Sequence, residues 1–582
     1  MPPLPQFRPA LLAALFACLT CLPVLSQAAF VADSLESLRS RRRADLPTSP
    51  TLATAQTEVR YTATQIEEIL RRARSAWRHY RQMRKQLGTA DSHEQALAQR
   101  AVALRARVRA VDRLLATEKR QPTREGPQTV ITALNSLDRA TAAVEYDLDR
   151  IALRTAQETL LPPNQPFCLC VAPAFARIPP AGPTPCRPAT KVDMTLAAGE
   201  AEGFQLVVVP YWERLEGVRV EVGNLFRRDS IDRLGPEQVR LWLTASAATS
   251  PTLGREMLYP DPLTPARPFD LPASASQAIL VDIRAQRDQP PGLYEGHIMV
   301  RANNLRPMTV SLHIRVRPFA LPDDTSRVAF QVGNEFLQTR LATTQSSHLA
   351  RTWEQFLAPF ALGLCRESAP GESTNPWLPL RATYALPPAE APSADPYSPA
   401  APTSLAYRQA GWAAWQADRN RPSRAPQRLV SGWVSLDPPP RESAEPPDAP
   451  IVRCRWSPEE WANPPGLIYL NHLGRPEPTL RLVAIRDGIE DYRYLELLAH
   501  RLAEAKRLKT ARWWKRRRWE RLLPIDPKLC DPTQNSLELG AKLLLRREAI
   551  AAAIEQIQRL GHENPHAASN SSARSITSGQ QQ

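Results

Sequence analysis

Arg-Asp-Gly-Ile-Glu-Asp-Tyr-Arg-Tyr-Leu-Glu-Leu-Leu occupies residues 486–498, after Gly-Leu-Ile-Tyr-Leu at 466–470 and Pro-Glu-Pro-Thr-Leu-Arg-Leu at 476–482. The three pieces read as a short apolar strand, a loop and a helix that opens with packed charges. Ile489, Tyr492, Leu495 and Ala499 recur at 3-3-4 spacing and make one apolar helix face. Asp487, Glu490 and Asp491 fall on the other face and in the predicted first turn, where the helix dipole favours anions. Arg481 and Arg486 are close enough in sequence to pair with them. The plain reading is a helix start braced by ion pairs; the sharper one is a carboxylate site.

Outward from this stretch, 582 residues suffice for about three or four domains. The 58 prolines against 22 glycines imply many rigid loops. The net charge of +15 is spread along the chain and accompanies no nucleic-acid-binding motif, so no nucleic-acid partner is read from it. Residues 1–28 read as an export signal: Arg8, then the apolar core Leu11 to Leu25, then Ser26-Gln27-Ala28 before Ala29. Cys18 after Leu15-Phe16-Ala17 weakly resembles a lipoprotein signal, but Phe16 is bulky for it, so cleavage to a periplasmic or extracellular protein is expected. No later stretch is apolar enough to span a bilayer.

Export permits disulfides, and Cys168 or Cys170 with Cys186 would close a short loop. Cys168-Leu169-Cys170 is too tight for zinc-ligand spacing and has no His nearby; neither metal nor cofactor is read here.

Residues 55–160 read as a helical bundle. Thr64-Gln65-Ile66-Glu67 is a capping box. Ile66, Leu70, Ala73, Trp77 and Tyr80 form one apolar seam; Leu97, Ala101, Leu104, Val108, Val111 and Leu115 a second; Val130, Leu134, Leu137, Thr141, Val144, Leu148 and Ile151 a third. Spacing of 4-3 predicts antiparallel coiled-coil packing, or self-association through the same seams. Within 185–322 the period drops to 2, at Val218/Val220/Val222, Val239/Leu241/Leu243, Ile279/Val281/Ile283 and Val310/Leu312/Ile314/Val316. With runs at 204–209 and 297–300, about seven strands of an antiparallel β-sandwich are predicted, His297 and His313 facing solvent.

From 326 to 560 strands and helices alternate. Strands are predicted at 328–334, 428–435 and 466–470, helices at 349–364, 407–417, 495–508 and 537–560, with Pro-rich gaps at 366–403 and 437–450 and a disordered tail at 565–582. Arg512-Trp513-Trp514-Lys515-Arg516-Arg517-Arg518-Trp519 is read as a helix with its tryptophans packed inward and arginines in water, with contact to anionic lipid or glycan as the alternative. The fold class is thus multidomain α+β.

Several segments resemble the glycoside hydrolase family 123-like proteins with their C-terminal domain of unknown function. They are Leu196-Ala197-Ala198-Gly199-Glu200-Ala201-Glu202-Gly203-Phe204-Gln205-Leu206, Tyr259-Pro260-Asp261-Pro262-Leu263, Pro291-Gly292-Leu293-Tyr294-Glu295-Gly296 and Pro318-Phe319-Ala320-Leu321-Pro322. The closing match is Gly466-Leu467-Ile468-Tyr469, Leu480-Arg481 and the run Arg486-Asp487-Gly488-Ile489-Glu490-Asp491-Tyr492. The resemblance covers roughly 190–340 and 405–500. It implies a sandwich followed by a (β/α)8-like barrel that releases terminal N-acetylgalactosamine. There the substrate's own 2-acetamido group attacks the anomeric carbon, an Asp orients that group, and the adjacent Glu protonates the leaving oxygen.

This chain departs from the pattern: no Asp-Glu dipeptide occurs in it, and the Pro-rich 366–403 stretch falls where mid-barrel strands belong, leaving a partial barrel. The expectation is an exported, catalytically degenerate relative with a carbohydrate-binding or scaffold role. Two alternatives stand beside it. One is an active N-acetylhexosaminidase using Glu335 at a strand end, or Asp487 and Glu490. The other is a structural envelope protein assembled through its helices.

Overall fold

The computed structural model describes residues 63–85, 92–122, 126–163, 165–180, 184–248, 258–303, 305–322, 328–332, 347–365, 382–383, 404–419, 428–432, 434–435, 453–455, 467–470, 475–508, 511–531, 534 and 536–563. The export signal, the C-terminal tail and Glu335 lie outside the described residues. These divide into two compact units that part between Leu148 and Asp149.

The first unit is helical. Helices α1 (Ala63–Met83), α2 (Ser92–Arg120) and α3 (Gly126–Glu158, which continues past the divide) bury the predicted seams, with Ala73, Ala101, Leu104, Leu134, Leu137 and Val144 fully enclosed. Arginines on the flanks pair between helices: Arg72 with Glu145 at 2.6 Å, Arg74 with Asp112 at 2.8 Å, Arg100 with Asp147 at 2.6 Å.

The second unit begins with two sheets. Their strands are β1 (Phe167–Pro173), β2 (Arg187–Pro188), β3 (Lys191–Ala198), β4 (Ala201–Pro210), β5 (Leu215–Val222), β6 (Leu225–Arg227), β7 (Arg233–Leu234), β8 (Val239–Ala248), β9 (Leu258–Pro265), β10 (Phe269–Leu271), β11 (Gln277–Arg284), β12 (Gly292–Arg301) and β13 (Met308–Ala320), more than the seven the alternation marks. One sheet runs β8-β11-β4-β1-β2 with β9 beside β8; the other runs β10-β5-β12-β13-β3 with β6 beside β12 and β7 beside β6. Pairings among these strands are antiparallel apart from β3 with β13. Phe204, Leu206, Val208, Ile279, Val281 and Ile283 of the first sheet meet Ile298, Val310, Leu312 and Ile314 of the second in one core.

The chain passes from one sheet to the other at Gly199-Glu200. Gly199 has φ +80°, a left-handed backbone that glycine adopts without steric cost. Cys170 is bonded to Cys186, fixing β1 to β2, while Cys168 is a buried free thiol. His297 is exposed and His313 half-buried.

The first sheet is covered on its other side too, so β4 is buried at every residue and β11 at all but its last. Leu280 of β11 and Leu263 of β9 enter a second core with elements from later in the chain. These include β14 (Val328–Val332), α4 (Ser347–Leu357), β15 (Gly363–Cys365), α5 (Leu405–Asp418), β20 (Ile468–Leu470) and α6 (Leu480–Arg507). With β16 (Ala382–Thr383), β17 (Arg428–Gly432), β18 (Val434–Ser435) and β21 (Pro476–Glu477), these strands form a parallel set β15-β14-β17-β16 and a separate trio β18-β20-β21. The helix predicted over 349–364 ends at Leu357, because a 3-10 turn at Ala358–Phe360, started by Pro359, leads into β15. β19 (Arg453–Arg455) extends the first sheet, parallel to β8. Helices α7 (Trp513–Glu520), α8 (Pro527–Cys530) and α9 (Leu537–Glu563) close a third core with Trp412, Tyr494 and Leu498.

Candidate functional site

The charged run at 486–491 does not open its helix. α6 begins at Leu480, capped by Thr479, whose hydroxyl accepts the Leu482 N–H at 3.0 Å and donates to the Leu467 carbonyl at 2.9 Å. Asp487, Glu490 and Asp491 therefore lie two to three turns into the helix, beyond the reach of its N-terminal dipole. The expected helix start is corrected because Pro476 and Pro478 read as loop, whereas Pro478 lies just before a strong cap. The Leu263 N–H bonds the Pro478 carbonyl at 2.9 Å, so the helix start hangs on strand β9.

Every residue from Leu480 to Asp491 is buried. A helix enclosed all round is ordinarily apolar; this one carries its charges inward, and each finds its partner on another element. Arg481 reaches Asp261 of β9 by two side-chain bonds of 2.9 and 2.7 Å, and its backbone N–H donates to the same carboxylate at 3.3 Å. Arg481 thus pairs across the fold and not, as its position in the sequence suggested, within its own helix. Arg486 donates to Asp487 at 3.0 and 2.8 Å and to Asp282 of β11 at 2.8 Å. Glu490 accepts the Ala201 N–H of β4 at 3.2 Å. Tyr492 donates to Asp418 at 3.1 Å.

The centre of the cluster is Arg408 of α5. Its guanidinium holds Asp491 at 2.7 and 3.0 Å, Glu202 at 3.1 and 3.0 Å, and Asp487 at 3.4 Å. The Trp412 indole N–H adds a bond of 2.8 Å to Asp491. Arg547 of α9 enters from the far side and pairs with Glu200, with Glu202 at 2.5 Å and with Asp491 at 3.2 Å. Glu200 also accepts the Tyr494 hydroxyl at 2.5 Å and the Ala197 N–H at 2.6 Å. Gly488 provides the room: α5 crosses α6 with Gly411 against Gly488, backbone on backbone.

Burial works against Arg408's charge, but Asp491, Glu202 and Asp487 outweigh it and hold the guanidinium firmly protonated. Burial pushes Asp487 well up, Arg486 and Arg408 pull it down, and Glu202 and Glu490 add repulsion. Asp491 is raised by burial against the pull of Arg408. Burial also pushes Glu490 up to about 7, against Arg486, Arg493 and Arg284. A carboxylate whose folded pKa exceeds its unfolded one binds more protons in the native state, so stability falls as pH rises from about 4.5 to about 7. Glu490→Gln, permanently neutral, is expected to flatten that dependence and at pH 7.5 to match or exceed the wild type, by on the order of 3 kcal/mol at most. Melting curves between pH 4.5 and 7.5 check this; parallel curves for the two proteins contradict it.

Four of the five motifs that carry the family resemblance meet at or beside this cluster. Asp261 comes from the Tyr259 segment, Glu200 and Glu202 from the Leu196 segment, and Arg481, Arg486, Asp487, Glu490 and Asp491 from the 481–492 run, while Phe319 packs edge-on against Tyr494 at 5.9 Å. Sequence reasoning missed Arg408, Asp282 and Arg547. Arg408 lay within a predicted helix as one arginine among many, and nothing local marks the other two. Chemically the cluster is a set of ion pairs buried among the described residues, with Glu490 held by a backbone amide. An open groove of 510 Å³ lies elsewhere, on the helical unit, lined by Arg107, Thr132, Asn135, Ser136, Arg139 and Ala140, with no carboxylate.

No family model and no curated protein matches this chain. Among solved structures, one similar chain is a family 123 glycoside hydrolase from Clostridium perfringens, studied for glycolipid glycan hydrolysis, with TM-score 0.43, 10% identity, and coverage of 68% of this chain and 99% of that one. A second is AvmM, which catalyses macrocyclization in alchivemycin A biosynthesis, with TM-score 0.17, 12% identity, and coverage of 27% and 94%. A third is the alkylpurine DNA glycosylase AlkC from Pseudomonas fluorescens, with TM-score 0.11, 16% identity, and coverage of 35% and 46%. The likeness to the family 123 fold is weak.

Proposed function

We propose that this chain is an exported glycoside-hydrolase-like protein that performs no glycosidic chemistry and serves as a scaffold, its parallel strands being the remnant of a barrel. The observation that supports this most is the state of the three carboxylates in the signature run. Asp487, Glu490 and Asp491 are 2%, 3% and 1% exposed. Asp487 and Asp491 are held by arginines and Glu490 by a backbone amide. A general acid must reach a glycosidic oxygen, and a nucleophile an anomeric carbon; carboxylates enclosed in this way do neither. The absence of an Asp-Glu dipeptide agrees with the same reading.

The test is hydrolysis of an aryl N-acetyl-β-D-galactosaminide by the full chain. No release above the buffer rate is expected. Measurable turnover would overturn the proposal, and its loss in Glu335→Gln would then hand the acid's role to that strand-end residue.

A further inference from the structure

The predicted inward packing of the tryptophans in the basic segment holds for one of three. Trp519 is 5% exposed and sits in the third core, its indole N–H 3.3 Å from the Gln556 side chain of α9. Trp513 and Trp514 are 63% and 49% exposed. Helical geometry explains the split. At 100° per residue, Trp513, Trp514, Arg517, Arg518 and Arg521 share an arc of about 140°, and Trp519 lies opposite. All five residues of that arc are exposed, with Arg512 beside them, and Glu520 is the only acid in α7. The outer face of this helix thus combines two indoles with a row of arginines, anchored from behind by the third tryptophan.

We propose that this face is a docking surface for anionic phospholipid, which holds the protein peripherally on a membrane. Two observations favour a lipid surface. The first is charge: clustered arginines complement phosphate headgroups, and the whole chain carries +15. The second is how the indoles are held. The Arg517 guanidinium lies 5.3 Å over the Trp513 ring and the Lys515 ammonium 5.6 Å over that of Trp514. Each indole therefore has one face covered by the helix's own cation, which leaves less open aromatic face for a sugar ring to stack on. An indole flanked by cations suits the headgroup layer, where its apolar body enters and the cations meet phosphate. The contact is interfacial, and no helix among the described residues is long and apolar enough to cross a membrane. This inference is independent of whether the chain hydrolyses glycosides.

The test is flotation of the full chain with vesicles of phosphatidylcholine alone and of phosphatidylcholine mixed equally with phosphatidylglycerol. Binding is expected to the mixed vesicles only, weakening as salt rises. Arg517→Gln/Arg518→Gln is expected to lower it roughly tenfold or more, and Trp513→Ala/Trp514→Ala to weaken it comparably. Both pairs are exposed, so the melting temperature should hold. Arg219→Gln/Arg306→Gln, an equal loss of charge at exposed sites in and beside the sheet β10-β5-β12-β13-β3, should leave binding unchanged. Equal binding to both vesicle types, no binding, or equal weakening by the two arginine pairs would each overturn the proposal. So would capture by dextran sulfate without capture by mixed vesicles, which would assign the face to an acidic polysaccharide.

Discussion

Arg408→Leu is expected to leave the second unit unfolded or aggregated at physiological temperature. Arg408 is 1% exposed and makes five hydrogen bonds to the carboxylates of Glu202, Asp487 and Asp491. Leucine would fill much of the volume but leave those carboxylates enclosed without their shared cation. Breaking a buried pair in this way costs about 3–5 kcal/mol, against a total stability of about 5–15 kcal/mol for a typical domain. Arg547 also touches Glu202 and Asp491, yet it already serves Glu200 on the far side of the cluster and cannot take over both roles. Arg408→Lys should recover only part of the loss, since an ammonium cannot span three carboxylates as a planar fork does. Thermal melts of the three proteins decide the matter. A leucine variant within about 1 kcal/mol of the wild type would mean that the ion pairs are dispensable.

The second large effect is expected at the helix crossing. In an exposed helix, Gly→Ala stabilises by about 1 kcal/mol. At Gly411 the added methyl would collide with the Gly488 carbonyl oxygen, and at Gly488 it would meet that of Arg408 at 2.5 Å. Both obstacles are backbone and cannot rotate aside, so α5 and α6 must separate. Overpacking of this kind costs about 3 kcal/mol, which outweighs the propensity gain. Separation also lengthens the bonds from Arg408 to Asp487 and Asp491, so the two terms act together. Gly411→Ala and Gly488→Ala are each expected to lower stability by about 2 kcal/mol or more. Urea denaturation gives the sign directly, and a raised midpoint for either variant would refute the close crossing.

Both effects sit on residues whose importance the sequence marks unevenly. Gly488 belongs to the run that resembles a family signature, and its physical reason is now evident: it lets one helix backbone touch another. Gly411, its counterpart, lies between Ala410 and Trp412 with no local mark. Asp261 and Glu202 were visible within the family-like motifs, but as isolated acids. Their meaning depends on Arg481 and Arg408, which are separated from them by 220 and 206 residues.

The helix seams at 3-4 spacing and the strands at period 2 were legible because they arise from neighbours along the chain. Ile279, Val281 and Ile283 had to face one core whatever lay beyond them. Tertiary structure alone decided what faced the residues between. It set Leu280 and Asp282 against helices and not water, began α6 at Leu480, and placed the ion-pair partners of the charged run on distant elements. The physical reason is range. A hydrophobic period is set by backbone geometry over a few residues, whereas whether a carboxylate is solvated or paired depends on which distant element covers it. The same limit applied to Trp513, Trp514 and Trp519, three identical side chains within one helix: the segment made them helical, and only the core that the helix packs on decided which one went inside.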